Sequence, residues 1–253
     1  MLWHLTSAIF MIFSAGFYLA SASSCSHQRS VPSVVDGQQT DLYPGVVALA
    51  MQDKQGLSLG VCTGEFISDR IVLTAAHCFE DDATPILIVD KQRIEALRWI
   101  IHPQYVAYAD DSVRYDLAMI EFKNYRHPYQ VQIAKQVADL SRAVTIVGYG
   151  KHTFTTLPGL GIGVKRAGKS HIALRGEGFF QIIKNTSDTA LAAAAPGDSG
   201  GALLLDNAEL IGITSLGAPE GRDKIVNQFV DLLSASSQSF LATPEWMVEA
   251  GKN

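Results

Sequence analysis

The sequence predicts an all-β fold, either a sandwich or a barrel, built from two units of similar size. Short apolar runs separated by Gly, Pro, Asp and Asn fill residues 34–241, and such spacing is typical of all-β proteins. No long amphipathic helical stretch alternates with these runs, which argues against an α/β fold. The polar connection KNYRHPYQVQ at 123–132 lies near the middle of the chain and divides the runs into two groups.

The expected strands follow from these runs in chain order. They include residues 45–51, 70–76, 85–90, 117–122, 143–150, 178–184, 201–206, 209–215 and 227–233. Most are rich in Val, Ile, Leu or Phe and are bounded by turn residues, as strands commonly are. After them, the tail TPEWMVEAGKN at 243–253 is expected to form a short C-terminal helix.

The first 24 residues differ from the rest because they contain no Asp, Glu, Lys or Arg. Their apolar stretch is followed by small residues, which is typical of a secretory signal with Ala20-Ser21-Ala22 as the peptidase site. A membrane-spanning helix is the alternative, but Ser and Gly interrupt the run and no cationic residue flanks it. We therefore expect residues 1–24 to be a signal peptide and the protein to be exported, either secreted or held in a periplasm or cell envelope.

The charge balance excludes one class of partner. The chain is 47% hydrophobic and 18% charged, as globular proteins are. Its formal net charge is −5 at pH 7, and no basic cluster occurs along it. We therefore expect no nucleic-acid partner.

The cysteine count is odd. In an exported protein, the three cysteines Cys25, Cys62 and Cys78 predict one disulfide and one cysteine with another fate. Cys25 directly follows the small-residue run, where a bacterial lipoprotein signal places its acylated cysteine, although Ala22 stands where such signals usually carry Leu. Lipidation of Cys25 is therefore a hypothesis, and it provides the only membrane contact that we expect.

The stretch GVKRAGKS at 163–170 satisfies the phosphate-binding pattern G-x-x-x-x-G-K-[ST]. That loop works only between a buried strand and the N-terminus of a helix. Here a loop-like segment precedes it and a strand-like segment follows it. We therefore interpret these residues as a loop that runs into a strand, with the basic side chains in water.

The stretch GDSGG at 197–201 satisfies G-x-S-x-G, the nucleophile elbow of the α/β-hydrolases. In that fold the histidine follows the serine in the chain. No histidine occurs after His171, so Ser199 has no base downstream. The elbow also needs a helix after the serine, whereas an apolar strand is expected there. This interpretation fails.

A base upstream of the serine remains. His77 stands in LTAAHCF after an apolar run, and Asp116 opens the apolar run of RYDLAMIEF. Either residue alone is more often structural than catalytic. Together with Ser199 they give the order His, Asp, Ser, and a serine needs such an adjacent base because it is a weak nucleophile at its free pKa.

These stretches resemble the signatures of the chymotrypsin-like, or trypsin-fold, serine proteases. TAAHC, DLAMI and GDSGG are three of them, and IIHPQY at 100–105, VGYG at 147–150 and GITSLG at 212–217 are also similar. The likeness runs from about residue 34 to 241. It implies two six-stranded antiparallel Greek-key β-barrels, about 34–125 and 140–235, with the active site in the cleft between them and a short C-terminal helix. We identify the chain as a bacterial-type exported member.

The resemblance also implies roles for residues. His77 would be the general base, Asp116 would orient it, and Ser199 would be the nucleophile. The backbone N–H groups of Gly197 and Ser199 would form the oxyanion hole. Cys62 and Cys78 would form the disulfide. Substrate-binding positions are implied at Ala193, Ser215, Leu216 and Gly217.

The resemblance further implies activation by cleavage before Val34, with residues 25–33 as a short propeptide ahead of the 34–253 protease domain. The new Val34 ammonium would pair with Asp198 and order the oxyanion hole. The sequence departs from the family here, because Ser33 is an unusual residue for such a cleavage and Asp36 stands where the family has glycine.

The substrate pocket departs from the family as well. Ala193 stands where trypsin has the acid that selects Arg or Lys. An uncharged pocket predicts small or medium apolar residues, not Arg or Lys, at P1, the residue before the cleaved bond. Asn227 on the opposite wall could make the pocket polar.

We therefore expect a secreted, monomeric serine endopeptidase, made as a zymogen, that forms an acyl-enzyme on protein or peptide substrates and needs no metal or other cofactor. The alternative is a catalytically silent or permanently zymogen-like homologue that acts as a binding module.

Overall fold

The computed structural model describes residues 34–109, 112–137, 139–151 and 162–243. The expected signal peptide with its Ala20-Ser21-Ala22 site, Cys25, the propeptide at 25–33 and nearly all of the 243–253 tail lie outside these residues. The described residues form sixteen strands: β1 Gln38–Gln39, β2 Val46–Gln52, β3 Ser58–Phe66, β4 Ile71–Thr74, β5 Thr84–Val89, β6 Gln92–Ile101, β7 Val106–Ala107, β8 Val113–Arg114, β9 Ala118–Phe122, β10 Ala143–Gly148, β11 Arg166–His171, β12 Leu174–Gly176, β13 Phe179–Asn185, β14 Ala202–Leu204, β15 Leu210–Glu220 and β16 Lys224–Asp231.

The first half of the fold is a closed antiparallel barrel in the order β2-β3-β4-β9-β6-β5. In β6 the side chains alternate between half-buried and exposed over most of the strand, which is the two-residue period of a strand with one covered face. The barrel interior is filled by apolar side chains without exposed surface, Leu49, Phe66, Leu73, Leu87 and Ile120.

The second half is an antiparallel sheet of eight strands in the order β1-β11-β10-β14-β15-β16-β13-β12. The two outermost strands have only two and three residues, and six strands lie between them. Strand β1 belongs to the N-terminal segment, yet it pairs with β11 rather than with the first barrel. The all-β fold class is therefore confirmed, and β1 adds an edge strand to the sheet of its second half.

Strand β11 occupies most of the stretch that matched the phosphate-binding pattern. Arg166–His171 pairs with β10 along its whole length, from Gly148↔Arg166 to Ala143↔His171. A strand cannot present the helix N-terminus that holds phosphate. The structure therefore agrees with a segment that runs into a strand.

One apolar cluster joins the two halves, with Leu73 and Met119 from the barrel and Leu204 and Ile213 from the sheet. Buried Thr63 of β3 crosses the same boundary. Its hydroxyl donates to the Gly197 carbonyl at 3.1 Å and accepts from the Tyr149 amide at 3.0 Å. The candidate residues lie along this boundary.

Helix α1, Ala235–Leu241, follows the last strand. The hydroxyl of Ser234 accepts from the Ser237 amide at 3.2 Å and caps the helix start. The predicted short C-terminal helix is thus confirmed in Ala235–Leu241, and a helix in the 243–253 tail falls outside the described residues. Across the described residues, no helix is long and apolar enough to cross a membrane.

Candidate active site

Each candidate catalytic residue lies where a strand gives way to a turn. His77 follows β4 at the start of a 3-10 helix, Ala76–Asp82. Asp116 lies just before β9, after Tyr115 with its φ of 55°. Ser199 lies in the loop between β13 and β14.

His77 and Asp116 contact each other twice. The Nδ1 atom of His77 lies 2.7 Å from Oδ2 of Asp116, and the His77 backbone amide donates to Oδ1 at 2.8 Å. The hydroxyl of Ser215 also donates to Oδ2, at 2.5 Å. The carboxylate is 1% exposed, so these groups take the place of water and fix the orientation of the imidazole.

The electrostatics of the pair favour an ionised Asp116. Burial would raise the pKa of Asp116, but the charge of His77 and the hydrogen bonds from His77 and Ser215 outweigh it and hold the pKa below its usual value. Burial would lower the pKa of His77, but the hydrogen bond and charge of Asp116, with the charge of Glu80, outweigh it and raise that pKa.

The Ser199 loop is held against the first barrel by its backbone. Thr63 donates its amide to the Ser199 carbonyl at 2.7 Å, and the Gly200 amide donates to the Thr214 carbonyl at 2.8 Å. A Cβ atom at Gly200 would lie 2.1 Å from Oγ1 of Thr74. The loop therefore packs against the end of the strand that leads to His77. The described hydrogen bonds join His77 to Asp116 directly but do not join His77 to the Ser199 hydroxyl.

Glycine is required at Gly197 by its conformation and by its packing. Its φ is +97°, and a Cβ atom there would lie 2.7 Å from Cα of Gly150. The amide of Asp198, by contrast, donates to the Ala195 carbonyl at 2.9 Å. Within the described residues, the amides of Gly197 and Ser199 donate no hydrogen bond. Both residues are partly exposed.

Asp198 is fully buried under the VGYG turn. Its carboxylate accepts from the amides of Gly150 at 2.8 Å and Ala195 at 2.9 Å. Burial raises the pKa of Asp198 to about 7, although those two hydrogen bonds and the charge of Arg166 act in the opposite direction. In the uncleaved chain Val34 has no free ammonium, so its expected pair with Asp198 stays a prediction.

The N-terminal segment nevertheless lies beside the same loop. Val34 is buried, and the Ala193 amide donates to the Val35 carbonyl at 3.1 Å. Asp36 pairs with Lys184 of β13 at 2.8 Å, and the Lys184 side chain has no exposed surface. The sequence reasoning noted Asp36 as a departure but missed Lys184, because strand sequence alone does not tell which distant segment covers a side chain.

The expected substrate strand lies at the edge of the site. Ser215 is buried beside Asp116, Leu216 is half-buried and Gly217 is exposed. The Asn227 amide group is hydrogen-bonded to both the N–H and the C=O of Ala194. Its polar atoms are therefore already engaged, and they do not line an open polar pocket.

The predicted disulfide is present. Cys62 of β3 is bonded to Cys78, and their Cα atoms are 6.5 Å apart. Cys78 adjoins His77, so the bond ties the segment that carries the candidate base to the barrel wall. A disulfide fits a protein that functions outside the cytosol. The described residues contain no group of three or more His, Cys, Asp or Glu arranged to hold a metal ion.

The profile of the family described as Trypsin matches residues 34–234. The chain belongs to the trypsin family. The match spans both halves of the fold and all three candidate catalytic residues. The family consists of serine proteases that are usually secreted.

Three curated relatives of this trypsin-family chain come from animals. It is 27% identical over 132 residues to the venom peptide isomerase heavy chain of Agelenopsis aperta, covering 43% of this chain and 51% of the relative. Serine protease 28 of Mus musculus is 34% identical over 114 residues, with coverages of 39% and 40%. Serine protease Hayan of Drosophila melanogaster is 31% identical over 120 residues, with coverages of 40% and 18%.

The aligned part spans about half or less of the length of these relatives, and their animal origin gives no support to the bacterial type that we expected. Among solved structures, mouse neuropsin, a serine protease expressed in the limbic system of the brain, superposes with a TM-score of 0.62 at 21% identity. The alignment covers 85% of this chain and 99% of that one. At this identity, the likeness supports the trypsin-like fold alone.

Two further residues of this trypsin-family chain bear on the candidate triad. Thr63 holds the carbonyls of both Gly197 and Ser199. Glu80 lies three residues after His77 in the chain and accepts a hydrogen bond from the Tyr105 hydroxyl at 2.7 Å. The sequence motifs pointed to neither Thr63 nor Glu80.

Proposed function

We propose that this chain is an exported serine endopeptidase that cleaves peptide bonds through an acyl-enzyme on Ser199. One observation carries the proposal. A buried Asp116 orients His77 beside a loop in which the amides of Gly197 and Ser199 donate no hydrogen bond to any described residue, and these are the donors that an oxyanion requires. A purely structural turn would gain nothing from leaving these two amides free while it pairs those of Asp198 and Gly200.

The chemistry needs only these groups. His77 takes the proton from the Ser199 hydroxyl as Oγ bonds to the substrate carbonyl carbon, and the carbonyl oxygen becomes an oxyanion held by the two amides. The bond to the amine then breaks, and His77 returns the proton to the leaving nitrogen. In a second round of the same steps, water attacks the acyl-enzyme, and the carboxylic acid product is released from Ser199. Asp116 stabilises the His77 imidazolium that forms during both acylation and deacylation.

Activation would follow cleavage between Ser33 and Val34. Val34 is a β-branched residue with a φ of 45°, a conformation that such residues rarely adopt. Cleavage would remove this constraint, because the φ angle of Val34 is defined by its peptide bond to the preceding residue. The new ammonium would be released next to the loop that carries Asp198, whose pKa is raised by burial even though the charge of Arg166 acts in the opposite direction. We propose that the two form an ion pair that orders the oxyanion loop.

The absence of a charge at Ala193 supports a P1 preference other than Arg or Lys. Export through a signal peptide fits the disulfide and the family. We propose that the mature protein is a secreted monomer. Lipidation of Cys25 and a periplasmic location stay predictions, and with a lipid anchor the cleavage before Val34 would also release the enzyme.

Labelling with a fluorophosphonate tests the function. We expect the activated protein to be labelled at Ser199 and to hydrolyse peptides, and Ser199→Ala to abolish both. Ser239→Ala, at an exposed helix position, is the matched control and should retain labelling. Labelling only when the chain begins at Val34 would indicate a zymogen. No labelling of either form would identify a silent homologue and refute the proposal.

A further inference from the structure

The side chain of Asn227 lies fully buried between two segments of the candidate site. Asn227 belongs to β16 and pairs across the strands with Gly217 of β15. Its Oδ1 atom accepts from the Ala194 amide at 2.8 Å, and its Nδ2 atom donates to the Ala194 carbonyl at 3.0 Å. The side chain therefore bridges the substrate strand and the loop that leads to Ser199.

The resemblance implies that the P1 side chain would lie between the Ala193 loop and the Gly217 strand, and this bridge lies between the same two segments. A Cβ atom at Gly217 would meet Nδ2 of Asn227 at 2.4 Å and the Ala194 carbonyl oxygen at 3.2 Å. Ala193 and Asn227 have no exposed surface, and Ala194 has 1%. The gap between the loop and the strand is therefore filled by the amide group of Asn227 and is closed to solvent.

The bridge is also held firmly. To swing away, Asn227 would leave its own carbonyl oxygen and amide nitrogen, and the N–H and C=O of Ala194, without partners in a buried site. Each unpaired group of this kind costs more than the hydrogen bond itself contributes. A substrate side chain without polar atoms could not replace any of these hydrogen bonds. Substrate binding would therefore not offset the free-energy cost of moving Asn227.

We propose that Asn227 closes the primary specificity pocket, so that the enzyme cleaves after glycine or alanine and rejects larger P1 side chains. The inference rests on the proposed function and narrows its substrate class from uncharged residues to the smallest ones. Gly217 is required for this closure, because a side chain at that position would collide with the amide group of Asn227. The methyl group of a P1 alanine is small enough to bind without a pocket between the loop and the strand.

Peptides that differ only at P1 test this inference. With Gly, Ala, Leu, Phe and Arg in turn, we expect the active enzyme, secreted from the full-length chain, to favour Ala over Leu and Phe by about tenfold or more in kcat/KM, the scale on which pocket size discriminates. Asn227→Gly should raise cleavage after Leu or Phe about tenfold and change cleavage after Ala much less. Asn185→Gly, the same change at an exposed strand position, should leave the preference unchanged.

The inference is overturned if the unmodified enzyme cleaves after Leu, Phe or Arg as fast as after Ala, or if Asn227→Gly leaves the preference as it was. Because loss of the Ala194 contacts could impair the loop, Asn227→Ala and the binding of indole give a second measure. Ligand-detected NMR should show indole binding to the variants and not to the unmodified protein. Equal binding to both would count against a closed pocket.

These outcomes separate the two proposals. Labelling at Ser199 with a broad P1 preference defeats the pocket inference and leaves the proposed function intact. Failure of labelling defeats the function, while the indole measurement still decides whether Asn227 closes the pocket.

Discussion

The ammonium group of Lys184, which has no exposed surface, lies 2.8 Å from Oδ2 of Asp36. The resemblance to the family implied a glycine at this position, so the departure noted in the sequence is half of an ion pair with a buried lysine. Lys184 also donates to the Asn185 carbonyl at 3.2 Å. The pair fastens the Val34–Gly37 segment to β13.

Breaking this pair on one side should be costly. We expect Asp36→Ala to lower the free energy of unfolding by about 3 kcal/mol, because it leaves the Lys184 charge buried without its partner. The double variant Asp36→Ala/Lys184→Met should recover most of this loss, since it removes both charges. Urea denaturation of the four proteins of the cycle measures the coupling.

The exposed pair Lys54–Asp82 is the control. Asp82→Ala should leave the free energy of unfolding within experimental error, because exposed ion pairs contribute little. If Asp36→Ala behaves like Asp82→Ala, the buried pair does not stabilise the segment.

The candidate base predicts a pH profile. His77 must be neutral to accept a proton, and its pKa is raised by Asp116 and Glu80 against the opposing effect of burial. We therefore expect kcat/KM to rise with pH through a midpoint above about 6.5, the usual histidine pKa. Glu80→Gln removes one of the two charges and should move the midpoint to lower pH. Initial rates from pH 5 to 9 measure it.

Glu95→Gln, at an exposed position of β6, removes the same charge and is the control. It should not move the midpoint of the pH profile. Asp116→Asn should reduce kcat by about 10⁴-fold, because the imidazole loses the group that fixes its tautomer. A midpoint below 6.5, or equal shifts for Glu80→Gln and Glu95→Gln, would contradict this assignment.

The buried Asp198 predicts how stability varies with pH in the uncleaved chain. Its pKa is raised to about 7, so between about pH 4 and 7 the folded chain binds more protons than the unfolded one. The contribution of Asp198 to stability should fall as pH rises through this range, by at most about 4 kcal/mol, and stay constant above it. Urea denaturation at pH 5 and pH 8 measures the change.

Cleavage before Val34 would add a cation beside Asp198 and should abolish this decrease. Asp198→Asn in the uncleaved chain should flatten it as well, which separates the effect of Asp198 from that of other carboxyls. If the uncleaved chain and its Asp198→Asn variant lose the same stability between pH 5 and pH 8, Asp198 does not have this role.

A second buried carboxyl predicts a stabilising variant. Glu65 of β3 is fully buried, its two carboxylate oxygens have no hydrogen-bond partner among the described residues, and burial raises its pKa well above the usual value. Glu65→Leu should raise the free energy of unfolding by about 2 kcal/mol at pH 8, because it removes an unsatisfied polar group. The gain should be smaller at pH 5, where protonation of Glu65 costs little.

Glu121 of β9 gives the contrast. It is buried too, but Arg70 and Arg98 both donate to its carboxylate. Glu121→Leu should therefore destabilise the protein. Thermal unfolding of both variants distinguishes the cases, and a destabilising Glu65→Leu would show that the Glu65 carboxyl has a stabilising role.

The sequence predicted those parts of the fold whose signals are local. Continuous apolar runs correctly indicated strands such as β9 and β15, which are buried on both faces for much of their length. Strand β6 was missed because its outer face carries Leu97 and Trp99, which hide the alternation. Strand β3 was missed because it buries the polar side chains of Thr63 and Glu65, which do not fit the apolar pattern of a buried strand.

The candidate site divides in the same way. His77, Asp116 and Ser199 stand in short motifs, so the sequence alone was enough to propose them. The Asn227 bridge and the Lys184–Asp36 pair join residues that lie far apart in the chain, and each residue taken alone fits an ordinary strand or turn. Only the register of β13, β15 and β16 brings them to their partners.

The disulfide between Cys62 and Cys78 makes the geometry around His77 depend on whether the protein is in a reducing or an oxidising compartment. Thiols stay reduced in the cytosol and are oxidised on export, so a chain retained inside the cell would keep the His77 segment without its covalent tether. On the proposed function, the producing cell would then hold a less well assembled protease than the one it releases. Oxidation would act as a second safeguard, independent of cleavage before Val34, against digestion of the cell's own proteins.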